Sequence, residues 1–181
     1  IGVNLVYGAL FHHAEPTALI ASLLDNVTTA HAEIDMIEFS GPAFAGVDNR
    51  LMSLELVRSG LTDAAMFGAD GKVVQPSEAL YKKCVLVERG SFRPATKVTV
   101  DMLRCARAQF EREAGVARGD VLELFEMTLT NLTEEAGGID GRDFLDRADI
   151  LATLGGTVLI SKYGAYHRLA AYLFRQDRKS T

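Results

Sequence analysis

Small polar and cationic residues gather where the chain is predicted to leave a strand and enter a helix. Residues 34–39 read as a strand, Ser40 and Gly41 follow it, and Asn49 and Arg50 lie in the first turn of the next helix. Glycine lets a ligand approach the backbone, and serine offers a hydroxyl group. An arginine at a helix start opposes the helix dipole and so requires an anionic partner. That partner is either a bound phosphate or carboxylate, or a neighbouring acid of the chain itself.

A second group of this kind closes the last predicted strand. Ser161 and Lys162 end that strand shortly before a helix that starts near Gly164, and Arg168 lies one turn into the helix. A hydroxyl group, an ammonium group and free helix N–H groups together could hold a phosphate. Arg93, beside a proline in another strand-to-helix loop, could close over a ligand or pair with acids. At each place a turn with internal ion pairs is the alternative.

These groups need a sheet whose strands end along one edge, and the hydrophobic pattern predicts such a sheet. The predicted strands are residues 3–10, 34–39, 64–67, 72–75, 84–87, 121–129 and 157–161, and the predicted helices are 16–27, 48–60, 76–78, 99–113, 140–154 and 164–175. Asp70-Gly71 between two apolar runs indicates a hairpin. The alternation predicts a single α/β domain: a mostly parallel, Rossmann-like three-layer sheet with helices on both faces and one β-hairpin.

Composition excludes several classes of function. The chain has 181 residues, of which 48% are hydrophobic and 24% charged, and its net charge is -5. These values are typical of a globular domain and do not favour nucleic acid or an anionic membrane as partner. No apolar run approaches the roughly 18–20 residues that cross a bilayer. Cys84 and Cys105 are isolated, which predicts buried free thiols and a cytoplasmic protein. The adjacent His12 and His13 lack an acid or cysteine at ligand spacing, so no metal site is predicted.

One stretch resembles the haloacid-dehalogenase-like phosphatases. Glu126 and Thr128 end one strand, and Ser161 ends a later strand after a loop and a helix. In that family the first strand ends in Asp-x-Asp or Asp-x-Thr, and the aspartate is the nucleophile. Glu126 would occupy the nucleophile position with one extra methylene, so the resemblance implies an altered or inactive copy.

Four segments, residues 35–42, 48–54, 75–78 and 168–173, resemble a family of longer bacterial proteins. Members carry the names nicotinate-nucleotide adenylyltransferase and TonB-dependent receptor. The chain lacks the HxGH motif of the first group and the alternating barrel strands of the second. The resemblance therefore implies only that the chain, which begins at Ile1, is part of a larger bacterial protein.

Three hypotheses about function follow. The first is a domain that binds a small phosphorylated or nucleotide-like molecule, with or without magnesium, at the carboxyl edge of its sheet. The second is a non-enzymatic assembly module that contacts the remainder of a larger chain or forms a homo-oligomer. The third is an enzyme of nucleotidyl or phosphoryl transfer, for which no P-loop or GxGxxG motif is present.

Overall fold

A five-stranded sheet with helices on both faces forms the centre of the molecule. The computed structural model describes residues 1–25, 31–113, 116, 118–133 and 138–179. The helices are α1 Gly2–Phe11, α2 Pro16–Ser22, α3 Asn49–Arg58, α4 Pro76–Leu80, α5 Lys97–Phe110, α6 Leu129–Leu132, α7 Gly141–Thr153 and α8 Tyr166–Lys179. The strands are β1 Ala64–Phe67, β2 Val73–Val74, β3 Cys84–Arg89, β4 Val121–Thr128 and β5 Thr157–Ser161. The predicted α/β class is confirmed.

The sheet combines a parallel and an antiparallel part. Its strand order is β2-β1-β5-β4-β3. Strands β3, β4 and β5 are parallel neighbours, whereas β1 runs antiparallel to β5 and forms the predicted hairpin with β2. Because β1 is reversed, its carboxyl end lies beside the amino end of β5, where Phe67 pairs with Val158. This reversal determines which loops share an edge of the sheet.

Three hydrophobic clusters hold the layers together. The first lies between one face of the sheet and helices α3, α5 and α7, and it includes Phe67, Phe125 and Phe144. The second lies on the opposite face beneath α4 and α8. The third packs α2 and the outer side of α3 against residues 34–47. Both faces of the sheet are therefore covered, as the long apolar strands predict.

The prediction of a first strand over residues 3–10 is wrong, because this segment forms helix α1. A short apolar run does not distinguish a buried strand from a helix by its pattern alone. Two tertiary contacts favour the helix. The side-chain amide of Asn4 donates to the carbonyl oxygens of Leu23 and Asp25, and a Cβ atom at Gly8 would lie 3.1 Å from the Leu19 side chain. The helix thus packs closely on α2.

The predicted second strand is also wrong, since residues 34–39 have no regular secondary structure. The segment is bound to its neighbours by isolated hydrogen bonds instead of a strand ladder. The Ile34 N–H donates to the carbonyl oxygen of Leu61. The Asn49 side chain accepts from the Phe39 N–H at 2.7 Å and donates to the Phe39 carbonyl oxygen at 3.1 Å. Its apolar residues pack among helices and leave Ser40 on an exposed loop.

Local signals in the sequence locate most other boundaries correctly. Asp48 caps α3 and Asp140 caps α7, each accepting a hydrogen bond from the backbone N–H two residues ahead. Gly71 has a φ of 76°, a conformation that the hairpin turn requires and that glycine adopts readily. The prediction of buried thiols is wrong for Cys105, which is exposed, while Cys84 is half-buried. No helix in the described ranges is long and apolar enough to cross a bilayer.

Candidate functional site

The structure separates the predicted site residues between two edges of the sheet. Ser161 pairs with Ala64 at the start of β1, whereas Phe67 lies at the other end of that strand. The turn that follows Phe67 borders a cleft that also contains Asn49 and Arg50. Ser161 and Lys162 lie at the opposite edge, about 10 Å away along the strands. The predicted residues therefore do not form one crevice.

Arg50 lies in the wall of the cleft beside the β1–β2 turn, which we call the Arg50 cleft. Its volume is about 550 Å³, and its wall is made of three segments of the chain: the loop and first turn of α3 (Ala45, Gly46, Val47, Asp48, Asn49, Arg50), the β1–β2 turn (Phe67, Gly68, Ala69, Asp70, Gly71) and one side of α7 (Ala148, Asp149, Ala152). Seven of these residues are glycine or alanine, which leaves the space between the segments open.

Ion pairs hold the Arg50 guanidinium across the cleft. Nε and Nη2 donate to the two carboxylate oxygens of Asp48 at 3.1 and 2.8 Å, and Nη1 donates to Asp149 at 2.5 Å. Hydrogen bonds from Arg50 lower the pKa of Asp48, and those from Asp48 raise the pKa of Arg50. Both groups are charged at neutral pH. The acid partner that the sequence left open is thus within the chain.

Asn49 and the loop before it have different roles from those predicted. Both polar atoms of the Asn49 amide bind the backbone of Phe39, so this side chain holds the 34–39 segment against α3. Ser40 and Gly41 are exposed and do not line the Arg50 cleft. Gly41 has a φ of 93° and precedes a short 3-10 turn at Pro42–Phe44. Of the predicted residues in this half of the chain, Arg50 and Asn49 border the cleft.

At the carboxyl edge, a buried carboxylate is the main feature. Glu126 is 0% exposed and accepts from Arg89 Nε at 2.6 Å and Nη2 at 2.9 Å. The Ser161 hydroxyl donates to the same carboxylate at 2.6 Å. Arg89 also donates to the carbonyl oxygen of Gly164, and its guanidinium lies 4.3 Å from the centre of the Tyr166 ring. The hydrogen bonds between Arg89 and the Glu126 carboxylate raise the pKa of the Arg89 guanidinium.

This environment makes Glu126 a structural group. Both of its carboxylate oxygens accept hydrogen bonds and neither is exposed, so neither can attack a substrate in this conformation. Ser161 is equally buried and donates inward instead of toward a ligand. The sequence contains the signal for this cluster: a glutamate within the apolar strand β4 must have a partner when it is buried. The arginine at the end of the neighbouring strand β3 supplies it.

The remaining predicted cations also have partners or lie elsewhere. Lys162 Nζ lies 2.5 Å from Asp63 Oδ1, and the Tyr163 hydroxyl donates to Asp63 Oδ2 at 3.0 Å. Burial opposes ionisation of Asp63, but these two hydrogen bonds lower its pKa. Arg93 Nε donates to Asp143 at 3.1 Å. Arg168 is exposed on α8.

Comparisons of the chain with protein-family models, curated proteins and solved structures find no match. The resemblances to the phosphatases and to the family of bacterial proteins stay predictions. Within the described residues, no group of three or more His, Cys, Asp or Glu side chains is arranged to hold a metal ion.

Proposed function

We propose that the protein binds a small hydroxylated molecule carrying an anionic group, such as a phosphorylated sugar or a nucleotide, in the Arg50 cleft. The observation that carries this proposal is an open cleft of about 550 Å³ with a charged guanidinium in its wall. Ligand sites typically have volumes of about 300–1,000 Å³ and contain a few fixed polar groups. The ligand class is the one that the sequence suggests, but the site lies at the edge of the sheet that contains Arg50 and not at the carboxyl edge of β5.

The chemistry of the wall supports this class of ligand. A guanidinium has five N–H donors, and the hydrogen bonds to Asp48 and Asp149 use three of those on Arg50. The other two are the donors that a phosphate or carboxylate oxygen would use, and the Arg50 side chain is 18% exposed. The carboxylates of Asp70 and Asp149 are 59% and 65% exposed, so they can accept hydrogen bonds from sugar hydroxyl groups. Arg50 would bind the anionic end and the acids the hydroxylated end.

The test is a thermal-shift screen against nucleotides, phosphorylated sugars and the parent sugars, each with and without magnesium. A ligand that binds only the folded protein raises the melting temperature by mass action. The informative variant is Ala152→Gln, which narrows the cleft without removing an ion pair. Ala171→Gln is the matched control, because it makes the same change at an exposed position of α8.

We expect a ligand-dependent rise in melting temperature in the natural protein and in Ala171→Gln, and a reduced rise in Ala152→Gln. A rise of equal size in all three proteins would place the ligand outside the cleft. No rise with any compound would contradict the proposal and favour the second candidate.

The second candidate is assembly with another copy of the chain through α1. Six large apolar side chains of this helix are exposed: Val3, Leu5, Val6, Tyr7, Leu10 and Phe11. The helix carries no charged side chain, so two copies of its surface would meet without like-charge repulsion. Size-exclusion chromatography with light scattering should then show a dimer that Val6→Lys converts to a monomer. A monomer at every concentration of the natural protein would exclude this assembly.

A further inference from the structure

The two edges of the sheet differ in how they are protected. At one edge β2 has only two residues, whereas at the other β3 has six. Short edge strands and proline normally prevent an edge from pairing with another chain. Strand β3 is neither short nor interrupted by proline, and its charged residues, Glu88 and Arg89, are confined to one end; residues 84–87 are apolar or sulfur-containing, and all six residues are half-buried. None of the described residues forms a strand on the outer side of β3, so this edge is able to accept another strand.

The register shows which backbone groups of β3 point away from the sheet. The Gly90 N–H donates to the Glu126 carbonyl oxygen of β4. Because backbone groups alternate in direction along a strand bonded on one side, residues 84, 86 and 88 also direct theirs toward β4. The N–H and C=O groups of Val85, Val87 and Arg89 consequently point to the open edge. Three donors and three acceptors are thus presented at the spacing of a strand.

Apolar grooves border this edge on both faces of the sheet. On one face, Leu86 and Glu88 of β3 line a groove with three residues of α5: Met102, Leu103 and Ala106. On the other face, Val85 lines a groove of about 280 Å³ with Leu80 of α4 and with Ala170, Leu173 and Phe174 of α8, and Lys83 and Asp177 are its two charged lining residues. Phe174 is 71% exposed and Met102 59%. The side chains on each face of an added strand would therefore contact apolar residues in the groove on that face.

Glu88 gives the groove beside α5 a charge preference. One of its carboxylate oxygens is buried and has no hydrogen-bond partner among the described residues. Burial raises the pKa of Glu88, and the nearby charge of Glu123 raises it further. Glu123 is itself paired with Arg107 of α5. A cationic side chain placed in this groove would lie beside the Glu88 carboxylate and offset its charge, which has no cationic partner among the described residues.

We propose that the open edge of β3 binds an extended peptide as a sixth strand, with a lysine or arginine of the peptide directed at Glu88. Apolar residues at alternating positions of the peptide would occupy the groove beside Phe174. Such strand addition obtains affinity from main-chain hydrogen bonds and specificity from side-chain pockets. Peptide binding at this edge is independent of the Arg50 cleft, which borders the β1–β2 turn and is separated from β3 by strands β5 and β4.

The charge of Glu88 argues against a second copy of the chain as the occupant. An antiparallel pairing of two β3 strands that uses all three outward residues, Val85, Val87 and Arg89, places Val87 on the two-fold axis. Leu86 would then oppose the second copy's Glu88, and both glutamates would lie on the same face of the joined sheet. The two glutamates would be diagonal neighbours about 7–8 Å apart, within reach of long side chains, and their like charges would repel each other. A peptide with a basic side chain removes this repulsion.

The test uses three fluorescein-labelled hexapeptides. The first alternates valine with lysine, the second has glutamate in place of lysine, and the third is the lysine peptide with N-methylated valines, which cannot donate main-chain hydrogen bonds. Fluorescence anisotropy measures their affinities for the natural protein and for Glu88→Gln. Amide chemical shifts of Val85, Val87 and Arg89 report the position of binding.

We expect the lysine peptide to bind the natural protein at least about tenfold more tightly than either other peptide. In Glu88→Gln, the difference between lysine and glutamate peptides should fall below about threefold. The amides of Val85, Val87 and Arg89 should shift on binding. Equal binding of all three peptides, or no saturable binding up to about 1 mM, would overturn the proposal. So would shifts of these amides that depend on protein concentration without peptide, because they would identify a second copy as the occupant.

Discussion

Replacing Glu126 with glutamine tests how much the buried cluster at the carboxyl edge stabilises the fold. The change keeps the shape of the side chain but removes the negative charge that faces Arg89. The Arg89 side chain is only 11% exposed, so its cation would lose a charged partner in a largely dry environment. Hydrogen bonds to charged groups contribute about 1.5–3 kcal/mol each, and Arg89 makes two to Glu126. Breaking a buried ion pair from one side costs about 3–5 kcal/mol. Because glutamine still accepts one hydrogen bond, we expect a loss of about 3 kcal/mol.

Glu123→Gln is the matched control. Glu123 lies on the same strand, and its carboxylate is also 2.6 Å from an arginine nitrogen, Nη1 of Arg107. The Arg107 side chain, however, is 41% exposed, so water can replace its partner. Exposed ion pairs contribute about 0–1 kcal/mol. The two variants therefore change the same chemistry at the same distance and differ in burial.

Urea unfolding followed by circular dichroism measures both free energies. With a slope of about 2 kcal/mol/M, the Glu126→Gln midpoint should fall by about 1.5 M and the Glu123→Gln midpoint by less than about 0.5 M. Equal midpoints for the two variants would refute the reasoning, because burial of the pair would then have no energetic consequence.

Three further variants test other features of the structure. Gln176 is 0% exposed and both polar atoms of its amide lack partners among the described residues, so Gln176→Met should raise the free energy of unfolding by about 1–2 kcal/mol, whereas Gln109→Met on the exposed side of α5 should leave it unchanged. Asn49→Ala should cost about 2–3 kcal/mol in the same urea assay because two hydrogen bonds to Phe39 are lost; Asn49→Asp should not recover this stability, because a carboxylate oxygen would face the Phe39 carbonyl oxygen to which the amide donates. The raised pKa of Glu88 means that the folded protein binds this proton more tightly than the unfolded chain, so its contribution to stability is present at low pH and is lost as pH rises through the raised pKa. Glu88→Gln should therefore stabilise the protein at pH 7 and not near pH 3, and a gain that is independent of pH would contradict this assignment.

The sequence predicts the second half of the fold better than the first. From β1 onward, strands are apolar runs bounded by glycine, proline or capping residues, and the structure has them where the pattern places them. The caps at Asp48 and Asp140 succeed because they depend on neighbours two residues away. Helix α1 and residues 34–39 fail because their conformations depend on Asn4 and Asn49, whose partners are 10 to 21 residues distant. No local pattern contains that information.

The candidate site was predictable in its parts and not in its arrangement. Arg50 was identified as a cation in need of an anionic partner, and Asp48 and Asp149 are that partner. Asp149 is 99 residues away in the chain, so the sequence could not indicate it. The separation of Arg50 from Ser161 follows from the reversed direction of β1. The direction of a strand depends on which strands it pairs with, and the hydrophobic periodicity of the sequence does not indicate that direction.

The position of β5 has a consequence for the order in which the protein can fold. This strand, at residues 157–161, is the last of the five in chain order, yet it lies at the centre of the sheet and pairs with both β1 and β4. During synthesis on the ribosome, the β1–β2 hairpin and the β3–β4 pair emerge without the strand that joins them. The nascent chain would thus expose two unpaired inner edges until β5 has left the exit tunnel, and contacts that span about 95 residues would close last. Sheet formation is therefore expected to be a late, single event that depends on five residues.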